Sequence, residues 1–305
     1  MLDWGTIALQ EDPMATSTGT LQMHRLHPRF GVEVSGVDLC QPLDDGTWAH
    51  IWEAFNEHSL LVFHDQPLTD DEQMRFSERF GPLETTVKTL GKEDRLHPNL
   101  VELANVDEDG RRMDWSDRRM LYQSGNQMWH TDSSFKPVPA QASLLSGRLV
   151  PPEGGETEFV SCRVAWEALA PEMHRRLEGK VAIHSFAYSR GLIDPTLLGP
   201  EVLQTLPPVR QALVRANPLN GKKTVYIGAH VSHIEGVPIE EGRALLKELL
   251  ELATLPERIY RHAWRQHDLV IWDNRCLLHR GRTWDTKRYT RVMHRTTVAG
   301  DGPTA

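Results

Sequence analysis

A histidine and an aspartate stand two residues apart at His130 and Asp132, in the segment 126–135 that reads NQMWHTDSSF. On an extended strand such residues project from one face, so we expect both side chains to reach one metal ion. His279, in the downstream segment 272–280 (WDNRCLLHR), supplies a second imidazole. Two imidazoles and one carboxylate on one face of a metal leave other coordination positions open, as in non-haem Fe(II) oxygenases. Among the 15 histidines of the chain, no other His-x-Asp occurs.

Two arginines follow the second histidine, at Arg291 and Arg295. An oxygenase of this kind that uses a dicarboxylate as reductant needs a cation for the free carboxylate, and arginine binds carboxylates with two parallel hydrogen bonds. The segment 292–298 is predicted to be a strand, on which an even spacing places both arginines on one face, together with Met293. The sequence therefore predicts a pair of anion-binding side chains beside the metal ligands.

Other chemistries lack their motifs in this sequence. There is no His-Glu-x-x-His and no Gly-x-Ser-x-Gly, and the segment 220–224 (NGKKT) resembles only the end of a P-loop, because Ala216 stands where its first glycine is needed. A formal net charge of −8 argues against a nucleic-acid partner, since phosphate binding requires clustered Lys and Arg. Three scattered cysteines fit neither a disulfide framework nor a zinc site.

The chain shows no targeting or membrane signal. No apolar run approaches the roughly 20 residues that span a bilayer, and the N-terminal segment has neither a basic nor an apolar signal region. We predict a cytoplasmic protein with a disordered leader over residues 1–22 and one domain over residues 23–300. Met1, Met14 and Met23 each remain possible start sites.

Helix signals are few. An apolar stripe after Asp45, the expected N-cap, predicts a helix packed on the core. A capping box at residues 69–72 opens another helix, and residues 238–253 form the clearest amphipathic helix. Segments 84–99 and 107–125 lack periodicity, so we expect surface loops that form a lid over the site.

The remaining chain alternates short strands, among them residues 181–188, 260–264 and 269–272. Many short strands with few helices between them favour a sandwich or barrel over a fold of alternating strands and helices. The predicted class is mainly β with flanking helices.

Four motifs in chain order resemble the taurine and 2,4-dichlorophenoxyacetate dioxygenase family of Fe(II)/2-oxoglutarate enzymes. They are the segments WHTDSSF (129–135), GGETEF (154–159), WDNRCLLH (272–279) and RVMHR (291–295). The resemblance extends from about residue 30 to 298 and includes FGPLE at 80–84. It implies a double-stranded β-helix (jelly roll), and Fe(II), 2-oxoglutarate and O2 as the cofactor and co-substrates.

The resemblance also implies roles for single residues. The iron ligands would be His130, Asp132 and His279. Thr157 would hydrogen-bond a carboxylate of 2-oxoglutarate, Arg291 would pair with its distal carboxylate, and Arg295 would lie by its other carboxylate and the anionic group of the substrate. Asn105 matches a strand position near the substrate.

The segment YIGAHVSHIEG at 226–236 is similar to the phenoxyacetate-degrading branch of the family. A matching histidine there is associated with the substrate carboxylate or ether oxygen, which makes His230 a candidate substrate-binding residue. Lys88, in the loop after FGP at 80–82, is a possible second cation for the substrate carboxylate. Asn217 departs from that branch, where relatives carry another histidine, so the pocket polarity stays open.

These resemblances imply a small anionic aromatic substrate. The predicted reaction hydroxylates the carbon next to the ether oxygen of an aryloxyalkanoate such as 2,4-dichlorophenoxyacetate, giving a phenol and glyoxylate with succinate and CO2. A homo-oligomer is expected from the family, but no residue fixes the number of subunits. Two alternatives stay open, namely a taurine-type alkylsulfonate or other small-anion dioxygenase, and a non-catalytic metal-binding β-barrel. The exact aryloxyalkanoate, its enantiomer and the physiological substrate are not encoded in any motif.

Overall fold

The computed structural model describes residues 21–85 and 96–305. Strands in these residues are β1 (Gln22–Arg25), β2 (Val32–Ser35), β3 (Leu60–Phe63), β4 (Leu100–Ala104), β5 (Ala140–Leu149), β6 (Thr157–Ser161), β7 (Val181–His184), β8 (Val209–Ala212), β9 (Val214–Ala216), β10 (Lys223–Val225), β11 (Val231–Ile234), β12 (Tyr260–His262), β13 (Leu269–Asp273), β14 (Leu277–Gly281) and β15 (Val292–Ala299). Helices are α1 (Asp45–His58), α2 (Asp70–Glu78), α3 (Arg118–Gln123), α4 (Cys162–Glu167), α5 (Pro171–Leu177), α6 (Phe186–Gly191), α7 (Pro200–Thr205) and α8 (Ile239–Ala253).

The largest sheet has seven strands in the order β1-β2-β3-β13-β5-β15-β4. All its pairs are antiparallel except β2 with β3. A three-stranded sheet, β12-β6-β14, pairs antiparallel throughout. Two smaller sheets, β11-β7-β8 and β10-β9, are formed by the segment between β6 and β12.

Alternation along the central strands places apolar side chains on both faces of the large sheet. In β3, Leu61 and Phe63 join one cluster of buried residues, whereas Leu60 and Val62 join another. The first cluster includes side chains of α1 and α2, which therefore cover the outer face. The second includes Phe159 of β6, so the two main sheets pack face to face.

A third cluster of buried residues covers the outer side of the smaller sheet. It joins side chains from β6 and β14 to α4 and α8, and to strands β7, β10 and β11. Two sheets with helices outside confirm the predicted class, mainly β with flanking helices. The arrangement is the jelly roll that the motifs predicted.

Several local predictions hold. The capping box at Thr69 and Glu72 is present, with both reciprocal hydrogen bonds. Helix α8 forms where the sequence indicates. The N-cap of α1 is Asp44 rather than Asp45, because the Asp44 carboxylate accepts from the backbone N–H of Thr47.

Other local predictions are wrong. The segment 181–188 is a strand only to His184, because Ser185 caps α6 by accepting from the N–H of Tyr188. The loop predicted over residues 107–125 contains α3, which Asp117 caps. These helices have six residues each, too few to show a 3.6-residue apolar repeat in the sequence.

The predicted leader falls mostly on residues 1–20, which lie outside the described residues, although β1 begins at Gln22. The predicted lid over 84–99 likewise lies largely outside them. None of the helices in residues 21–85 and 96–305 has the length and apolar character needed to span a lipid bilayer.

Candidate active site

A pair of backbone hydrogen bonds places His130 beside His279. The N–H of each residue donates to the carbonyl of the other, at 3.0 and 2.8 Å, and the imidazole ring centroids lie 4.2 Å apart. The predicted strand at His130 is only this isolated bridge, since a turn with a positive φ at Ser133 follows. The bridge to β14 therefore positions His130, and the turn directs Asp132 toward both histidines.

Three ligand atoms converge between the two sheets. One ligand atom each from His130, Asp132 and His279 lies within 4.8 Å of the others, and all three residues are buried. The Nε2 atoms of His130 and His279 face the Asp132 carboxylate at 4.0 and 3.7 Å. Two nitrogens and one carboxylate oxygen at this spacing fit a divalent transition metal.

The protonation states also suit a metal. Burial lowers the pKa of His130 and of His279, so both imidazoles are neutral at neutral pH. His130 Nδ1 lies 2.7 Å from the carbonyl oxygen of Met128, which accepts the Nδ1 proton and leaves the Nε2 lone pair for a metal. Burial raises the pKa of Asp132, but Arg295 and the two histidines together hold it below its usual value. The aspartate is therefore a carboxylate.

Neighbouring side chains fix the orientation of Asp132. Arg295 Nη1 donates to Oδ1 at 2.6 Å, and Ser143 Oγ donates to Oδ2 at 2.7 Å. Asn274 donates to Ser143 Oγ at 2.9 Å and accepts from the Asp132 backbone N–H at 3.1 Å. Such partners of a metal ligand set its direction and basicity.

A cavity opens beside the three ligands. Its lining includes His130 and His279, together with Thr157, Arg291 and Arg295. Arg291 is 8% exposed, and burial lowers the pKa of its guanidinium to about 10. Its Nε has no hydrogen-bond partner within the described structure. A buried cation facing a cavity fits a bound anion.

The local structure directs Arg291 and Thr157 toward the cavity. Gly155 has φ +71°, and a Cβ there would lie 3.2 Å from Arg291 Nε, so glycine allows the guanidinium to pack against this turn. Arg291 also lies 5.2 Å over the Trp284 ring. Thr157 Oγ1 accepts from Trp264 Nε1 at 3.0 Å, which leaves its own hydroxyl proton free to donate. Arg291 precedes β15 rather than lying within it.

The structure places His230 and Asn105, both predicted to lie near the substrate, in different surroundings. His230 is buried, with its ring centroid 6.1 Å from that of His130 and Nδ1 2.9 Å from Ser189 Oγ. Asn105 does not line the cavity: its amide oxygen accepts from the Arg291 N–H, and its amide nitrogen donates to the carbonyls of Thr286 and Tyr289. Lys88 lies outside the described residues.

The sequence reasoning missed Ser143 and Asn274. Asn274 stands inside the WDNR motif, which marks it as a residue of interest. Its role could not be predicted, because only the fold shows that Ser143 of β5 lies beside it. Arg190 was also missed, because α6 has only six residues and shows no apolar period in the sequence.

Comparison with known proteins agrees with this geometry. The family model described as taurine catabolism dioxygenase TauD, TfdA family, matches residues 22–297. The chain belongs to this family. It is therefore an Fe(II)/2-oxoglutarate-dependent dioxygenase, and its three converging ligand atoms could hold a metal ion.

Relatives in the family carry named activities. The chain is 42% identical over 275 residues to an alpha-ketoglutarate-dependent 2,4-dichlorophenoxyacetate dioxygenase of Cupriavidus pinatubonensis, covering 90% of this chain and 96% of the relative. It is 37% identical to an (S)-phenoxypropionate/alpha-ketoglutarate-dioxygenase of Sphingobium herbicidovorans, covering 90% and 94%. The crystal structure of AAD-2 with Mn(II) and N-oxalylglycine has a TM-score of 0.86 at 41% identity, covering 94% of this chain and 99% of that one.

Proposed function

We propose that this enzyme hydroxylates small aryloxyalkanoates on the carbon between the ether oxygen and the carboxylate. The observation that carries the proposal is a metal-ligand triad beside a buried Arg291 whose Nε has no partner among the described residues, in a chain 42% identical to a 2,4-dichlorophenoxyacetate dioxygenase. The products are a phenol and glyoxylate, because the hydroxylated carbon becomes a hemiacetal that collapses.

Two residues of the cavity bind 2-oxoglutarate in this proposal. Arg291 pairs with the distal carboxylate, because it is a buried cation with no ion pair among the described residues. Thr157 donates its free hydroxyl proton to a carboxylate oxygen. Arg295 keeps Asp132 ionised and directed at the metal while it faces the same cavity.

Iron bound by His130, Asp132 and His279 supplies the oxidising chemistry, in which O2 and 2-oxoglutarate give succinate, CO2 and one oxygen atom for the substrate. The protein positions the substrate C–H bond and excludes water. His230, near His130 and buried among aromatic rings, supports a role in orienting the substrate, and Lys88 remains a candidate second cation for its carboxylate.

Aromatic side chains favour an aryl substrate over taurine. Phe135 lies 4.5 Å from Phe186 and 4.8 Å from His230, which makes an apolar wall next to His130. A sulfate or sulfonate substrate is the second candidate, because the chain is also 30% identical to an alkylsulfatase of Acinetobacter baylyi.

A coupled assay separates the two candidates. Purified enzyme receives Fe(II), ascorbate and 2-oxoglutarate with phenoxyacetate, 2,4-dichlorophenoxyacetate, taurine or an alkyl sulfate, and succinate is measured. Succinate with the aryloxyacetates, accompanied by phenol, supports the proposal. Succinate only with taurine or the alkyl sulfate would replace it with the second candidate.

We further propose one catalytic domain over residues 23–300, a cytoplasmic location and a homo-oligomeric state. The family match over residues 22–297 supports the domain. Light scattering of the purified protein measures the subunit number, and a monomer at micromolar concentration would contradict the oligomer.

A further inference from the structure

A second buried arginine lies near the metal ligands. Arg190 of α6 is 8% exposed, and its Nε has no hydrogen-bond partner. Within residues 21–85 and 96–305, no carboxylate lies within ion-pair distance of its guanidinium, which interacts with the Tyr122 side chain and, electrostatically, with Asp132. A desolvated cation without a counter-charge is costly unless a ligand supplies that charge.

The surroundings hold this guanidinium in one place. It lies 4.8 Å over the Tyr122 ring and 5.0 Å over the Phe186 ring. A Cβ on Gly125 would lie 1.4 Å from Arg190 Nη1, so the guanidinium packs directly on the backbone of that residue. Gly125 belongs to the 3-10 helix Ser124–Gln127, whose last two residues line the cavity of the metal site.

Arg190 also packs against the apolar wall formed by Phe135, Phe186 and His230. Phe186, over which it lies, contacts Phe135, and its ring centroid is 6.1 Å from that of His230. The positive charge helps to lower the pKa of both His130 and His230. An anion bound by Arg190 would therefore lie beside Phe186, on the side of the site that carries His230.

The other cations of the site are already committed. Arg295 is ion-paired with Asp132 at 2.6 Å, so much of its charge is neutralised. Arg291 lines the cavity proposed for 2-oxoglutarate, whereas Arg190, Phe186 and His230 are not part of that lining. Arg190 is thus an unneutralised cation on the aromatic side of the site.

We propose that Arg190 binds the carboxylate of the aromatic substrate and so determines the preference of this enzyme for anionic aryl compounds. The inference rests on the proposed function. Arginine suits this role because its planar fork binds a carboxylate through two hydrogen bonds, and the Tyr122 and Phe186 rings keep the fork oriented without ligand.

The test compares two ligands that differ in charge. Phenoxyacetate and its neutral analogue phenoxyacetamide are assayed by succinate release with wild-type enzyme, Arg190→Gln, Arg190→Lys and the control Arg243→Gln. Arg243 is an exposed arginine that lies 5.6 Å over the ring of Tyr188 in α6, so its replacement removes a similar contact made by a solvent-exposed charge. The KM for 2-oxoglutarate reports whether each variant keeps an intact site.

For Arg190→Gln we expect the KM for phenoxyacetate to rise about 10- to 100-fold, as for the loss of a charged hydrogen bond, with no change for phenoxyacetamide or 2-oxoglutarate. Arg190→Lys should recover part of the loss, and Arg243→Gln should match wild type. Equal KM increases for both ligands, or no change for phenoxyacetate, would overturn the inference while wild-type turnover still supported the proposed function. No turnover of any aryloxyalkanoate by the wild-type enzyme would instead contradict the proposed function itself.

Discussion

The side-chain oxygen of Asn105 accepts a hydrogen bond from the backbone N–H of Arg291 at 2.8 Å. The amide nitrogen of Asn105 donates to the carbonyls of Thr286 and Tyr289, at 3.2 and 3.0 Å. One fully buried side chain thus joins the end of β4 to the segment that carries the cation proposed for 2-oxoglutarate. Asn105 is a positioning residue in this account.

Replacing Asn105 with alanine should therefore raise the KM for 2-oxoglutarate by about tenfold, because Arg291 loses a buried anchor worth about 1–2 kcal/mol. Fe(II) binding should stay unchanged, since Asn105 contacts no metal ligand. Asn99→Ala is the matched control: this asparagine precedes β4 and donates to the carbonyls of Leu83 and Glu84. Steady-state kinetics at varied 2-oxoglutarate measure the effect, and equal KM values in the two variants would contradict the positioning role.

Arg291 itself gives a larger effect. We expect Arg291→Gln to raise the KM for 2-oxoglutarate about 10- to 100-fold, because a charge-assisted pair with the distal carboxylate is lost. Arg288→Gln removes an exposed arginine of the same segment and should leave this KM unchanged. If Arg291→Gln altered only the affinity for the aromatic substrate, the assignment of Arg291 to 2-oxoglutarate would be wrong.

Ser143 should control metal affinity without touching the metal. Its hydroxyl donates to Asp132 Oδ2 and accepts from Asn274, so Ser143→Ala frees the carboxylate to rotate. Loss of such a partner weakens metal binding about 10- to 100-fold. Ser146→Ala is the control on the same strand, because Ser146 donates to Gln73 instead. Anaerobic calorimetry with Fe(II) compares the two variants, and equal affinities would exclude this role for Ser143.

The burial of His184 should make the free energy of unfolding depend on pH. Burial lowers its pKa to about 3, and neither ring nitrogen has a partner within the described structure. The unfolded chain takes up the proton near pH 6.5 and the folded chain does so only near pH 3. Stability is therefore complete above pH 6.5 and falls by about 1.4 kcal/mol per pH unit as the pH drops between these values.

His184→Phe should remove this dependence, since a phenyl ring can stack on Tyr226 as the imidazole does. Urea unfolding at pH 7 and pH 5 should show a difference between wild type and variant that grows by about 2 kcal/mol at the lower pH. His50→Phe, an exposed position on α1, should keep the wild-type response. The same pH response in His184→Phe and wild type would contradict burial of a neutral imidazole.

The metal ligands and Arg291 could be predicted from sequence because their chemistry restricts the residue type. The combination of a His-x-Asp pair, a distant histidine and two arginines four residues apart is unusual, and the short motifs around these residues carry the family resemblance. The core strand β3 is instead an unbroken apolar run, and only the structure assigns Leu60 and Val62 to one buried cluster and Leu61 and Phe63 to the other.

The supporting residues could not be predicted, because their roles depend on which backbone groups the fold brings near. Asn105 was expected near the substrate, yet its amide binds carbonyl groups 181 and 184 residues away. Ser143 and Asn274 are 131 residues apart. Arg190 lies on a six-residue helix without an apolar period, so nothing in its local sequence indicated a buried cation.

The most direct test measures phenol and succinate in one reaction of purified enzyme with Fe(II), 2-oxoglutarate, O2 and 2,4-dichlorophenoxyacetate. The account predicts equal amounts of the two products from wild type and neither from His130→Ala. Each turnover places one atom of O2 in succinate and the other on the substrate carbon, whose hemiacetal then releases phenol. Absence of both products from wild type, or equal yields from His130→Ala, would contradict a three-ligand iron centre acting on an aryloxyalkanoate.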